Sequence, residues 1–146
     1  MTSPALKRLL DELRRRKWTL HLFGHDEAGP DIYAATFRWA TCADVFILRD
    51  EEDAVAFRTP TFPDTDVFLP TLVSWQYLAP AEWTLRAVLT IGAPGQADAP
   101  FQVLTPHPKC FIPAEARTPA TIRPTGLVQR PAPHPTWFGE EQVGPC

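Results

Sequence analysis

The stretch from Asp44 to Thr59 constrains the fold of this chain more than any other. Two short runs rich in Val, Ile and Phe, at 45–48 and 54–57, flank the polar break Asp50-Glu51-Glu52-Asp53. Two apolar runs around a short polar turn are typical of a β-hairpin. Successive side chains on a strand point to opposite faces, so the first run is apolar on both faces. The sequence therefore predicts a hairpin whose first strand is an inner strand that is covered on both sides.

A helix is predicted ahead of this hairpin, over residues 4–16. Thr2-Ser3-Pro4 offers a hydroxyl N-cap with a proline in the first turn. Four leucines follow at helical spacing and form one apolar stripe, namely Leu6, Leu9, Leu10 and Leu13. Basic residues end the segment, where the helix dipole favours positive charge. We expect the leucine stripe to dock this helix on the sheet.

Further strands are predicted on either side of the hairpin, because alternating or β-prone residues recur along the chain. Three of these strands span 18–23, 32–39 and 72–77, and two short edge strands span 101–104 and 109–112. Residues 80–91 fit two patterns, since they show both helical spacing and alternation. Pro80 at the start and Gly92 at the end favour a second helix there.

The distribution of prolines predicts where the globular domain ends. The chain has 17 prolines in 146 residues, and 11 of them lie from Pro94 onward. Proline fits neither a helix interior nor a central strand. We therefore predict a globular domain over 1–113 and a proline-rich extended tail over 114–146. The predicted fold class is α+β, with an antiparallel sheet of about four to five strands on which the two helices pack.

Charge and cysteine content narrow the class of protein. The net charge is −3 and the isoelectric point is about 5.8, which does not favour strong binding to nucleic acid. Three irregularly spaced cysteines, Cys42, Cys110 and Cys146, form no disulfide framework. No apolar run approaches the roughly 18 residues of a membrane helix. We expect a small soluble protein with reduced thiols, located in the cytoplasm and without membrane contact.

Two pairs of aromatic residues are the candidate partner-binding residues. Trp137 and Phe138 lie side by side in the proline-rich tail. Trp75 and Tyr77 lie in the predicted strand 72–77. Clustered aromatics usually belong to a core, and they also anchor protein interfaces. For the tail pair two interpretations stay open: Trp137 fills a groove on its own domain, or the pair docks on a partner or a second subunit.

The basic run Arg14, Arg15, Arg16 and Lys17 is a candidate nucleic-acid-binding site. Clustered Lys and Arg side chains contact phosphates in many nucleic-acid-binding proteins. Consecutive side chains on a helix, however, fan around its axis at about 100° per residue instead of forming one stripe. We favour the interpretation that these residues form a solvated helix end.

Three histidines and a cysteine are candidate metal ligands, namely His21, His25, His107 and Cys110. Imidazole and thiolate are accepted zinc ligands. Their spacing argues against a site, because His21 and His25 are not on a predicted helix and the other two lie among prolines. We expect no metal and no cofactor. The sequence has no Gly-x-Ser-x-Gly nucleophile frame and no Gly-rich phosphate loop, so we assign no catalytic residue.

These observations favour a small non-catalytic interaction or regulatory protein over an enzyme. We expect its partner to be another protein or, in a homodimer, a second copy of the chain. The first alternative is a nucleic-acid-associated protein that uses the basic N-terminal helix. The second alternative is a small enzyme or ligand-binding domain with an aromatic pocket that uses His21 or His25.

Overall fold

The computed structural model describes residues 3–26, 29–117 and 120–124, and these form two α-helices, six β-strands and two short 3-10 turns. The elements are α1 (Pro4–Arg15), β1 (Thr19–Asp26), β2 (Gly29–Arg38), β3 (Cys42–Asp50), β4 (Asp53–Pro60), β5 (Trp75–Ala79), α2 (Ala81–Thr90), the 3-10 turns Pro108–Cys110 and Ala114–Arg117, and β6 (Ala120–Pro124). All strands pair antiparallel in one sheet, in the order β5-β4-β3-β2-β1-β6. The predicted α+β class is confirmed.

Strands β3 and β4 form the predicted hairpin. Their register shifts between Leu48 and Asp50, so that Arg49 is an extra residue in a β-bulge. Residues 42–47 of β3 and 54–59 of β4 are buried without interruption. Because successive side chains alternate between faces, this burial means that both strands are covered on both sides, which was predicted for the first strand only.

Helix α1 is confirmed, one residue shorter than predicted. Its cap is Ser3, whose Oγ accepts a hydrogen bond from the backbone N–H of Leu6. At the other end Lys17 takes a left-handed conformation with φ of 68°, and Trp18 N–H bonds the carbonyl of Leu13. That pair of features is a Schellman motif, which ends the helix and turns the chain into β1.

One core cluster fills the space between the sheet and the two helices, and we call this side of the sheet the helix face. Leu6 and Leu13 of the predicted stripe are buried in it, whereas Leu9 and Leu10 are only partly buried. Helix α2 confirms the helical interpretation of 80–91 and adds Leu85, Val88 and Leu89 to the same cluster. Both helices therefore cover the same face.

The opposite side, which we call the loop face, is covered by irregular chain. Its core cluster combines sheet residues such as Val45 and Phe57 with Phe68 and Ile112 from the connecting segments. The segments hold each other, because Ile112 N–H bonds the carbonyl of Phe68 at 2.9 Å. Proline-rich segments can cover a sheet in this way because they need no β-sheet pairing. Their backbone groups form hydrogen bonds with other loops and with side chains.

The two predicted edge strands are wrong. In 101–104 only Leu104 forms a β-bridge, to Val73. Residues 109–112 form no strand, because the 3-10 turn Pro108–Cys110 begins there, capped by the His107 side chain, which accepts from Lys109 N–H. The strand predicted over 72–77 lies slightly later, as β5. Alternation alone could not reveal that the flanking prolines favour a tight turn.

Part of the predicted tail belongs to the sheet, since Ala120–Pro124 pairs with β1 along its outer edge. The division of the chain into a domain over 1–113 and a tail over 114–146 stays a prediction. Among the residues that the structure describes, neither helix is long and apolar enough to cross a bilayer.

Candidate functional site

Strand β5 lies at one edge of the sheet, and in the described part of the chain it has a neighbouring strand only on its β4 side. It is the least buried of the strands β3 to β5. Tyr77 is 38% exposed and Leu78 is 39% exposed, although both are large and apolar. Of the two sequence-predicted aromatics on this strand, Trp75 is partly buried against the helix-face core and Tyr77 lies on the surface.

Trp75 and Tyr77 form a stacked pair. Their ring centroids are 6.1 Å apart and their planes differ by 2°. The stacking follows from strand geometry, because residues two apart point to the same face. Stacked rings hold each other in one rotamer, so the pair presents a fixed aromatic surface beside the strand.

The first turn of α2, which follows β5 directly in the chain, carries another exposed aromatic residue. Trp83 is 56% exposed, and the guanidinium of Arg86 lies over its ring at 5.5 Å. The turn is held by buried Thr84, whose Oγ1 donates to the carbonyl of Ala79, and by Ala81 N–H, which donates to the carbonyl of Glu51. We call the exposed outer side of Trp75–Ala79, together with Trp83, the β5 edge.

The segment before the first 3-10 turn adds further apolar surface. Phe101 and Val103 are strongly exposed and lie next to Leu104, which bridges to Val73 just before β5. Among the described residues, five of the seven exposed large hydrophobic side chains belong to β5, the first turn of α2 or this segment. Most of the exposed apolar side chains therefore belong to β5 or to segments that follow it in the chain, and exposed apolar surface of this kind is a candidate for binding.

The other sequence-predicted partner-binding residues, Trp137 and Phe138, lie outside the described residues. The structure therefore says nothing about whether they meet the β5 edge.

Two residues of the basic run form ion pairs within their own helix. Arg15 and Arg16 both bond the carboxylate of Glu12, at 2.6 and 2.9 Å. Arg16 also donates to the carbonyl of Leu89 at the end of α2. Arg14 and Lys17 are exposed at the helix end. The Glu12 carboxylate, whose pKa is lowered by its hydrogen bonds to Arg16 and Arg15, offsets part of the positive charge that a nucleic acid would need.

His21 lies on the loop face in an aromatic cluster. Its Nε2 is 3.1 Å from Thr36 Oγ1, and its ring contacts Phe23 and Phe68. Burial lowers the pKa of His21 to about 4, and the positive charges of Arg38 and Arg117 act in the same direction. A neutral imidazole with one hydroxyl partner fits a packing role.

The remaining candidate metal ligands are not brought together with His21. His107 caps the first 3-10 turn, and the Cys110 thiol is buried 3.7 Å from Gln76 Oε1. Burial raises the pKa of Cys110 to about 11, which disfavours the thiolate that a metal would require. The His25 side chain is outside the described part of the structure. Within that part, no group of three or more His, Cys, Asp and Glu side chains is placed to hold a metal.

Sequence reasoning missed a buried ion pair on the helix face. Arg58 donates to both carboxylate oxygens of Asp44, at 2.6 and 2.9 Å, and both side chains are essentially inaccessible. Trp39 Nε1–H also donates to Asp44, and Arg58 donates to the carbonyl of Gly92 at 2.8 Å. The bulge at Arg49 creates this pairing, since without its extra residue Asp44 would face Thr59 across the ladder.

The chain is thus an α+β protein with an exposed apolar sheet edge. Comparison with protein-family models, with curated protein sequences and with solved structures finds no match.

Proposed function

We propose that this chain is a small non-catalytic interaction protein that binds its partner along the β5 edge. The observation that carries this proposal is the exposure of an uncharged, aromatic strand at the edge of the sheet. The partner would add a strand of its own to β5, with backbone hydrogen bonds supplying affinity and side chains supplying specificity.

The composition of the strand supports this interpretation. Proteins usually protect a sheet edge with lysine, proline, a bulge or a covering loop, because an open edge pairs with other chains. Trp75–Ala79 contains neither charge nor proline, and no residue from Val67 to Ala81 is charged. An edge strand without lysine or proline suits a protein in which pairing is the function.

The side chains at the edge are of the type that dominates binding energy. Trp and Tyr are enriched among the few interface residues that carry most of the affinity. Trp75, Tyr77 and Trp83 lie on β5 or in the first turn of the helix that follows it. Trp75 and Tyr77 are fixed by their mutual stacking, so a partner would lose little entropy in ordering them.

The surrounding structure holds the edge in place. At the start of α2, the N–H of Ala81 donates to the carbonyl of Glu51 in the hairpin turn. Just after the end of α2, the carbonyl of Gly92 accepts a hydrogen bond from the buried Arg58. The whole of β5 pairs with β4. The binding strand is therefore preorganised in the free protein, as tight recognition requires. The cytoplasmic location expected from the cysteine pattern is part of this proposal.

Site-specific photocrosslinking in the source cell tests the proposal. We would place benzoylphenylalanine at Leu78 in the full chain, with matched chains carrying it at Phe62 or Arg15. Phe62 is exposed but lies in the loop after β4, and Arg15 lies in the basic run. We expect a discrete crosslinked product from Leu78 and none from Phe62. Crosslinking to nucleic acid from Arg15, without a protein product from Leu78, would contradict the proposal and favour the nucleic-acid alternative.

A further inference from the structure

We infer that the partner at the β5 edge is a second copy of this chain, with the two β5 strands paired antiparallel around a twofold axis through Tyr77. The inference rests on the proposed function and specifies its partner. Two sheets would then join into one across the seam, and each copy would close the open edge of the other.

The length of the free edge favours a second copy over a longer foreign strand. At one end of β5, the backbone N–H of Ser74 donates to the carbonyl of Arg58 in β4. The backbone groups of the preceding residue, Val73, therefore point away from β4, and their two hydrogen bonds place Leu104 on the outer side of the strand. At the other end the carbonyl of Ala79 accepts from Thr84 and the chain enters α2. Among the described residues, the outer backbone groups of β5 pair with no other strand, although the Gln76 side chain is bonded to Thr105 and His107. The unpaired edge spans the five residues of β5. A second β5 has this same length and leaves the edge at the same two points.

The side chains match themselves under this symmetry. With Tyr77 at the axis, Trp75 lies opposite Ala79 of the second copy, which sets a large side chain against a small one. Gln76 lies opposite Leu78 of the second copy. Facing residues in an antiparallel pair have Cβ atoms about 4.5–5.5 Å apart, so these pairs would be in contact.

Charge supports the same arrangement. A strand that pairs with its own copy around a twofold axis brings the central side chain against itself, and any charge there would repel. The uncharged stretch from Val67 to Ala81 contains all five residues of β5, which would form the seam. The edge is therefore electrostatically compatible with itself in the register centred on Tyr77.

Complementary charges at position 77 test this register in the full chain. We would measure the oligomeric state by sedimentation velocity for the wild type, for Tyr77→Lys, for Tyr77→Glu, and for an equimolar mixture of the two variants. Phe62→Lys, which places the same charge on an exposed side chain in the loop after β4, serves as the control. Because Tyr77 is partly exposed, each variant should retain the melting temperature of the wild type within a few degrees.

We expect the wild type to form a dimer whose population rises with concentration, and the Phe62→Lys control to form one as well. Each charged variant alone should lose at least about tenfold in association constant, and the mixture should regain dimer as a heterodimer. A monomeric wild type in the high-micromolar range would overturn the inference. So would a dimer that neither charged variant weakens, because it would use another surface.

These outcomes are distinguishable from failure of the proposed function. A monomeric wild type that still crosslinks to another protein from Leu78 would contradict the homodimer. It would leave the β5 edge as the binding site for a different partner. Absence of any product from Leu78, together with a monomeric wild type, would overturn both.

Discussion

The β3–β4 hairpin and the β5 edge are made of the same kinds of residue and differ in what covers them. In the hairpin, aliphatic and aromatic side chains are buried on both faces, and even the charged residues Arg58 and Asp44 are buried as a bonded pair. In β5, Trp75, Tyr77 and Leu78 are all partly exposed. Apolar sequence therefore supports stability in one region and offers a binding surface in the other. The difference lies in the number of neighbouring strands, which composition does not encode.

The largest effect is expected at the buried ion pair of the hairpin. Arg58→Met should cost about 3–5 kcal/mol of unfolding free energy, because it leaves the Asp44 carboxylate buried without its main partner. The double variant Arg58→Met/Asp44→Leu should regain much of that loss, since no charge is then buried. Urea unfolding of both variants measures this. A single variant as stable as the wild type would show that the pair is not buried in solution.

Two aromatic positions on adjacent strands sharpen the comparison. Phe57→Ala in β4 should cost about 3–5 kcal/mol, because the side chain is fully buried and leaves a cavity. Tyr77→Ala in β5 should cost about 1 kcal/mol or less, mainly through the lost stacking on Trp75. Both are compared by urea unfolding at a concentration low enough to keep the chain monomeric. Equal losses would break the distinction between the two regions.

The loss of folding stability at acid pH should come from His21 on the loop face and not from the β5 edge. In the folded chain the pKa of His21 is about 4, against an ordinary value of 6.5. Between these values the unfolded chain binds the proton and the folded chain does not, so stability falls as the pH falls from about 6.5 to about 4. The loss attributable to His21 should reach about 2–3 kcal/mol at the lower end.

His21→Gln isolates this contribution, because it keeps a polar side chain near Thr36 Oγ1 and removes the titration. Urea unfolding across this pH range should give a shallower decline for the variant than for the wild type. Parallel declines would show that the imidazole is not desolvated in the folded chain.

Sequence reasoning succeeded where the chain is periodic. The Leu6–Leu13 stripe, the hairpin and the start and stop residues of α2 each carry a local pattern that determines the element. It failed where the outcome depends on contacts distant in sequence. The loop face is covered by Phe68 and Ile112, which belong to segments without periodicity, and 109–112 was assigned as a strand although its backbone turns.

The candidate site could be predicted only in part. Trp75 and Tyr77 were recognised as aromatic candidates from their spacing, but their exposure depends on β5 being an edge strand. The Asp44–Arg58 pair was missed because a one-residue bulge at Arg49 sets the register beyond it. A bulge of this kind has no sequence pattern of its own, since Arg49 is placed by its side-chain bonds to the carbonyls of Lys109 and Phe111.

Hydrogen–deuterium exchange of the full chain, measured in dilute and in concentrated solution, tests the central claim most directly. The β5 edge should be the region where association occurs, and the hairpin should be protected in either state. The account predicts that amides of Trp75–Ala79 exchange more slowly in the concentrated sample, while those of β3 and β4 do not change. Unchanged exchange in Trp75–Ala79, with new protection in another segment, would contradict it.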